Sequence, residues 1–454
     1  MNLEIIFLGG AGELGANSVY IYLDGTGIII DAGLHPRKRD RNAFPAYECI
    51  IDKPVDMLIL THAHTDHIGG IPFLLKFFPH VKTLMTKATR DLIEIMLKDT
   101  AKLLKSEVAD EYSAETLSLY KPETLERIWM LADGVNYGDE TFLRGYGGRS
   151  DVKIVFFPSG HILGSASVLL ECSGTSILHT GDVQFNDQAI ISKAEIPRRH
   201  YDTLITESTN AANEQLPYYE DEKKRLAKFI NDIVNKNGSI LIPAFALGKT
   251  QEVLKIIYSL MRKNSFPTLQ IYSGGLGKII SKVYDRYCYA VPFIQPGFEV
   301  SDIPQEEIIR EEILKGKYFK EPSIVIASSG MMNKGTSSYI LANEWLHRRN
   351  FGIAFVGYQD KSSPGYQLLN SKEGEEFTFA DVQRMRACDV DSFRFTSHAR
   401  IEDLIGFAVD SKPKQVFINH GEPEAIENLA LQLSGIIEGA NIYLPETGKT
   451  YQLL

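Results

Sequence analysis

The chain has 454 residues, 44% hydrophobic and 23% charged, with a formal net charge of −10 and a pI near 5.7. That length exceeds one ordinary core and predicts two or three domains, and with no run of 18 apolar residues the reading is a soluble globular protein without a transmembrane helix. The acidic balance counts against holding nucleic acid by bulk charge, although a local basic groove or bound dications reverse the field at a site.

The amino-terminal MNLEIIFLGG lacks a basic stretch and a small-residue cleavage site, so it reads as a first strand and not as a secretion signal. Further short strands follow as NSVYIYL, GIIID and MLILT, split by Gly and Asp turns. Helical periodicity is predicted over 68–78 and through 87–131. Strands return between 151 and 207 as VKIVFF, SASVLLE, SILHT and DTLITE. From about 217 to 345 strands and helices alternate, the rhythm of a parallel, doubly wound α/β domain. The last helix of that series, SYILANEWLHRR, covers 338–349. Short strands resume from about 375, with helices at 400–409 and 423–434. The order predicts one domain inserted into another: 1–209 and 376–454 form the first, and 210–375 form the insert. Four scattered cysteines, Cys49, Cys172, Cys288 and Cys388, make no CxxC pair. They read as buried thiols of a reducing compartment, the cytoplasm.

Residues 61–70, THAHTDHIGG, place three of the chain's 11 histidines and an aspartate within six positions. By composition an HxHxDH match arises by chance in roughly 4 of 10,000 chains of this length. The motif follows the apolar strand MLIL, so a loop at a strand end presents His62 and His64 to one metal and Asp66 and His67 to a neighbour. Imidazole and carboxylate donors suit Zn²⁺ best, with Mn²⁺ and Fe²⁺ as alternatives. Two more segments place polar residues where strands end: PSGHILGS offers His161, and LHTGDV offers Asp182, whose carboxylate is able to bridge two metals. His179 beside that motif has no assigned role.

DAG (31–33), HxHxDH, SGHILGS and HTGD occur in an order that resembles the metallo-β-lactamase superfamily, an αββα sandwich with a two-metal site at one sheet edge. LITEST (204–209), SFRFTSHAR (392–400) and VFINHGEPEA (416–425), with IPAFALGKTQE and ASSGMMNKG between them, are similar to the motifs of its β-CASP nucleases. The resemblance implies a fold of mixed α/β class, the sandwich with an inserted parallel-sheet β-CASP domain. It also implies two zinc ions: His62, His64 and His161 hold one, Asp66, His67 and His420 the other, and Asp182 bridges them. Asp31 would orient a ligand, His398 would contact the scissile phosphate, and Glu207 would orient His398. Histidine at position 420 is the residue of the RNA-acting members. The chain departs from the family pattern at Asn210 and Ala211, at Arg400 and after Gln359, which leaves substrate contacts open. Lys249 and Lys334 are weaker candidates for RNA phosphate contacts, and the basic runs 37–41 and 347–349 read first as solvated faces.

The function this implies is a metal-dependent ribonuclease, endo- or 5′-exonucleolytic, acting on RNA, single-stranded by preference. A thioesterase or small-phosphodiester hydrolase of the same fold, and a non-catalytic RNA-binding subunit, are the competing readings. Monomer and homodimer are both compatible with the sequence, and no membrane partner is expected.

Overall fold

The computed structural model describes residues 2–106, 112–212, 215–308 and 321–453. It divides into two compact units: Met1–Asp187, Ile191–Glu214 and Ser397–Leu454 form one, and Gln188–Ile190 with Gln215–Thr396 form the other.

The first unit is built on two seven-stranded sheets. In the first, Thr450–Leu453, Leu3–Gly9, Ser18–Leu23 and Thr26–Ile30 run antiparallel in that order, and Met57–Ile59, Lys82–Thr86 and Ala132–Val135 continue in parallel. The second mirrors this plan. Glu140–Leu143, Val152–Pro158, Ala166–Cys172 and Thr175–His179 are antiparallel, then Thr203–Thr206, Gln415–Ile418 and Asn441–Tyr443 continue in parallel.

Alternate residues of both sheets point into one core: Ile5, Phe7, Ile21, Ile28 and Ile30 from one, Ile154, Phe156, Val168, Leu170 and Phe417 from the other. Each such side chain, removed from water, contributes about 1.5–3 kcal/mol. The period of two that selects these residues is what the pleat requires. The second sheet's other face, Leu169, Leu178, Leu204 and Val416, is covered by Leu404 and Phe407 of the helix Ile401–Ser411 and by Ile426 and Leu429 of the helix Pro423–Ile436. The helix Lys87–Ser106 packs on the strands Lys82–Thr86 and Ala132–Val135 of the first sheet. This is an αββα sandwich.

The helical stretch expected over 87–131 is broken. After Lys87–Ser106, Ser113 caps a new helix, Ala114–Leu119, by accepting from the Thr116 amide. Pro122 then opens another, Pro122–Met130, where its missing N–H costs nothing. Residues 107–111 of that expectation lie outside the described residues.

The second unit carries a six-stranded sheet in the order Glu306–Glu307, Gln270–Ser273, Ser323–Ala327, Ile240–Pro243, Gly352–Phe355, Asp389–Ser392, parallel throughout. Its central strands are buried at every position, as strands covered on both faces must be. Leu341 and Trp345 of the helix Ser337–Trp345 share a core with Leu241, Val325 and Ile353, and the helices Tyr219–Asn235 and Lys249–Arg262 pack on the strands Gly352–Phe355 and Ser323–Ala327. The helix expected over 338–349 ends at Trp345: Leu346 turns inward, and His347, Arg348 and Arg349 sit exposed in the following turn. The strand Asp389–Ser392 pairs with Gly352–Phe355, so this unit extends to Thr396, whereas the sequence pattern divides the chain at 375.

Candidate metal centre

In the first unit Thr175–His179, Thr203–Thr206 and Gln415–Ile418 are parallel neighbours, so their carboxyl ends share one sheet edge. Asp182, Glu207 and His420 follow those ends within one to three residues. On the other sheet Thr26–Ile30 and Met57–Ile59 are parallel neighbours, followed by Asp31 and by Thr61, His62 and His64. Carboxyl ends of parallel strands are where such sheets present chemistry to a ligand. His161 lies in the loop after Val152–Pro158, and His398 lies in the loop before Ile401–Ser411.

These loops are stitched together by backbone. Asn17 donates its amide to the Asp66 carbonyl, Ala32 to that of His67 and Leu34 to that of Thr65. Gly33 lies so close beneath this turn that a Cβ there would sit 1.8 Å from the Asp66 carbonyl oxygen. Asp31 and His420 adopt φ of 62° and 49°, a left-handed conformation that costs a non-glycine residue about 1–2 kcal/mol and aims each side chain inward.

The structure brings the seven candidate donors together in two groups, His62, His64, His161 and Asp182 in one and Asp66, His67 and His420 in the other, and a third group of Asp182, His398 and His420 overlaps both, with donor atoms within 4.8 Å of one another in each. His64 Nδ1 lies 3.1 Å from both His62 Nε2 and His161 Nε2. Asp182 faces both groups. Its Oδ2 is 3.5 Å from His62 Nε2 and 3.6 Å from His161 Nε2, while its Oδ1 is 3.5 Å from His67 Nε2 and 3.2 Å from His420 Nδ1. His420 Nε2 in turn lies 3.4 Å from Asp66 Oδ2.

Hydrogen bonds behind the rings select the donor atoms. Asp31 accepts from the Thr61 amide at 2.8 Å, from the Thr61 hydroxyl at 2.7 Å and from His67 Nδ1–H at 2.7 Å. Because the Thr61 proton is committed to Asp31, its oxygen accepts from His62 Nδ1–H at 3.1 Å. His161 Nδ1–H donates to the Ser397 carbonyl at 2.8 Å. For His62 and His161 the Nε2 lone pair therefore faces the cluster, the tautomer a metal ligand needs.

The charges agree. Burial pushes His62, His64 and His161 towards the neutral form. Burial would raise Asp182, but His420, His67 and His62 hold it well below the usual carboxylate range. Burial would lower His67, but Asp182, Asp66 and Asp31 hold it well above the ordinary imidazole range. Neutral imidazoles at His62, His64 and His161 beside the ionised Asp182 are a donor set that fits a divalent cation, and the proton that the carboxylates hold on His67 is one that a cation in that place would displace.

Glu207 is buried and accepts from the Val183 amide at 2.7 Å and from His398 Nδ1–H at 2.9 Å. Burial opposes the charged imidazolium, yet the Glu207 carboxylate beside it pushes His398 up to about 9. His398 Nε2 lies 4.0 Å from Asp182 Oδ2.

The two candidate lysines belong to the second unit and are not members of the cluster. Lys249 is no solvated lysine: its Nζ donates to the Phe395 carbonyl and burial pulls it down to about 8. Lys334 is exposed in the turn before Ser337–Trp345. In the basic run, Arg37 pairs with Glu422, Lys38 with Glu13 and Arg41 with Glu48. Sequence reasoning missed the residues that hold the donors. Thr61 is one. His179 is another: its Nδ1 accepts from the Gly181 amide at 3.0 Å, shaping the turn that presents Asp182, and burial pulls it to about 4. The only sequence signal was adjacency to a donor.

A model of the Metallo-beta-lactamase superfamily matches residues 11–218, a Beta-Casp domain 250–368, and a Zn-dependent metallo-hydrolase RNA specificity domain 384–445. The chain belongs to the β-CASP family of the metallo-β-lactamase superfamily. It is 30% identical to "Cleavage and polyadenylation specificity factor 73" of Drosophila melanogaster over 95% of this chain and 61% of the relative. It is 28% identical to "Endoribonuclease YSH1" of Candida glabrata over 93% of this chain and 55% of the relative. With an "RNase J-like protein" of Methanocaldococcus jannaschii it shares 29% identity over 92% of both chains. The chain thus spans a little over half of the first two relatives and nearly all of the third. A crystal structure of a protein of unknown function from Enterococcus faecalis shares the fold over all of both chains, at a TM-score of 0.58 and 14% identity. Among the described residues no helix is long and apolar enough to cross a membrane.

Proposed function

We infer that the chain is a metal-dependent ribonuclease that hydrolyses RNA phosphodiester bonds in RNA processing or decay. The observation that carries this is Asp182, whose two oxygens face two separate donor groups, with the His398–Glu207 pair beside them. His62, His64, His161 and Asp182 Oδ2 would hold one zinc ion, and Asp66, His67, His420 and Asp182 Oδ1 the second; manganese or iron suits the same donors. When bound, such a pair supplies positive charge against the phosphate and a nucleophilic water at neutral pH. His398, kept protonated by Glu207, neutralises a phosphate oxygen or gives its Nε2 proton to the departing ribose oxygen. Asp31 and Thr61 hold His62 and His67 in register through hydrogen bonds to their Nδ1 sides. The names of the relatives and the RNA specificity domain support RNA as substrate. Four cysteines without a disulfide support a reducing compartment, the cytoplasm.

The test is digestion of 5′- and 3′-labelled RNA by metal-loaded wild type, Asp182→Ala and His398→Ala, with and without chelator. Loss of cleavage in both variants and with chelator is expected, and the label pattern separates endo- from exonucleolytic cutting. The reading falls if cleavage survives chelation, if Asp182→Ala matches wild type, or if the loaded protein hydrolyses a thioester and never RNA.

A further inference from the structure

His398 is a loop residue, and a loop backbone has no ladder to hold it. Its carbonyl oxygen nevertheless receives two side-chain amides: Gln184 Nε2 donates at 2.9 Å and Asn210 Nδ2 at 3.2 Å. The same Asn210 amide reaches the Ala399 carbonyl at 3.3 Å. Ala399 donates its own amide to the Val183 carbonyl at 2.6 Å, and Val183 donates to Glu207. Gln184 is itself buried and fixed, its Oε1 accepting from the Asn186 amide at 2.9 Å.

We propose that Asn210, with Gln184, is a positioning residue for His398: the two amides fix its backbone where Glu207 fixes its ring. The inference rests on the ribonuclease reading for its consequence, though not for its geometry. A carbonyl oxygen has two acceptor lobes, and here both are occupied by side-chain donors. Freeing one lets the His398 backbone drift, and a misplacement of about 1 Å costs about a hundredfold in rate.

The experiment compares Asn210→Asp, which keeps the shape but turns the donor into an acceptor facing two carbonyls, with Asn210→Ala. Both variants should lower kcat on a labelled RNA about tenfold or more, leave KM within about twofold and leave metal per chain unchanged. Adding either to His398→Ala should lower kcat no further. The His398 Nδ1–H signal in ¹H–¹⁵N spectra should exchange faster with water in both variants. The proposal is overturned if Asn210→Asp matches wild type, if the losses add fully to that of His398→Ala, or if the His398 proton is unchanged. Loaded wild type that cuts no RNA would remove the ribonuclease reading alone. Proton exchange in wild type against Asn210→Asp would still decide the positioning.

Discussion

Replacing Glu207 by Gln removes one charge and little else. The Gln carbonyl still accepts from the Val183 amide, and its amide faces His398 Nδ1, which becomes an acceptor. What is lost is the carboxylate that lifts His398 from the ordinary 6.5 to about 9. With that carboxylate gone, only Asp182 and Asp66 are left to offset burial, and the ring should titrate near its ordinary value. At pH 7.5 the protonated fraction falls from nearly all to about a tenth. The raised pKa also contributes stability, about 2–3 kcal/mol at pH 7 for a shift of this size. That contribution is fully present below pH 6.5 and disappears as the pH rises through about 9. Two measurements follow on chelated protein: an NMR titration of the His398 ring, and urea midpoints from pH 6 to 10. Wild type should lose stability relative to Glu207→Gln across the upper part of that range. His398 titrating within half a unit in both proteins would refute the electrostatic account of the pair.

Asp182→Asn keeps the shape of the bridging side chain without its charge, and bound metal per chain should fall together with at least about a hundredfold of activity; metal analysis of dialysed protein checks the first half. Thr61→Val cuts the link from His62 to Asp31 and should weaken cation affinity about 10–100-fold in a competition titration, whereas Thr61→Ser stays near wild type. Asp202, held at about 2 by Lys414 and by the Ser176 amide and hydroxyl, supports the fold above pH 3.8 and loses that role as the pH falls through about 2. Wild type should therefore lose about 1 kcal/mol more than Asp202→Asn on acidification from pH 5 to 2, solvent screening included.

The donors were legible because each occupies a position that local pattern reveals. His62, His64, Asp66 and His67 fall within six consecutive positions, and His161, Asp182 and His420 stand just past apolar strands. The parallel sheet followed from the alternation of strands and helices after residue 217, whereas the αββα sandwich was legible only through the resemblance of the DAG, HxHxDH, SGHILGS and HTGD motifs to the metallo-β-lactamase superfamily. The supports of the site were not legible, since Thr61, Gln184 and Asn210 are common loop residues, and Asn210 and His398 are 188 positions apart. The limit of the second unit was hidden for a related reason. DVDS, residues 389–392, has no apolar run and is only half-buried, so what makes it a strand is the edge of Gly352–Phe355 beside it.

The pairing of Leu3–Gly9 with Thr450–Leu453, and of Thr203–Thr206 with Gln415–Ile418, has a consequence for synthesis. The first unit closes only through contacts more than 200 and more than 400 residues apart, the kind that form slowly. His420 reaches Asp66 across 354 positions. A chain emerging from the ribosome therefore carries an incomplete set of candidate donors until residue 420 has been made and its strand has paired.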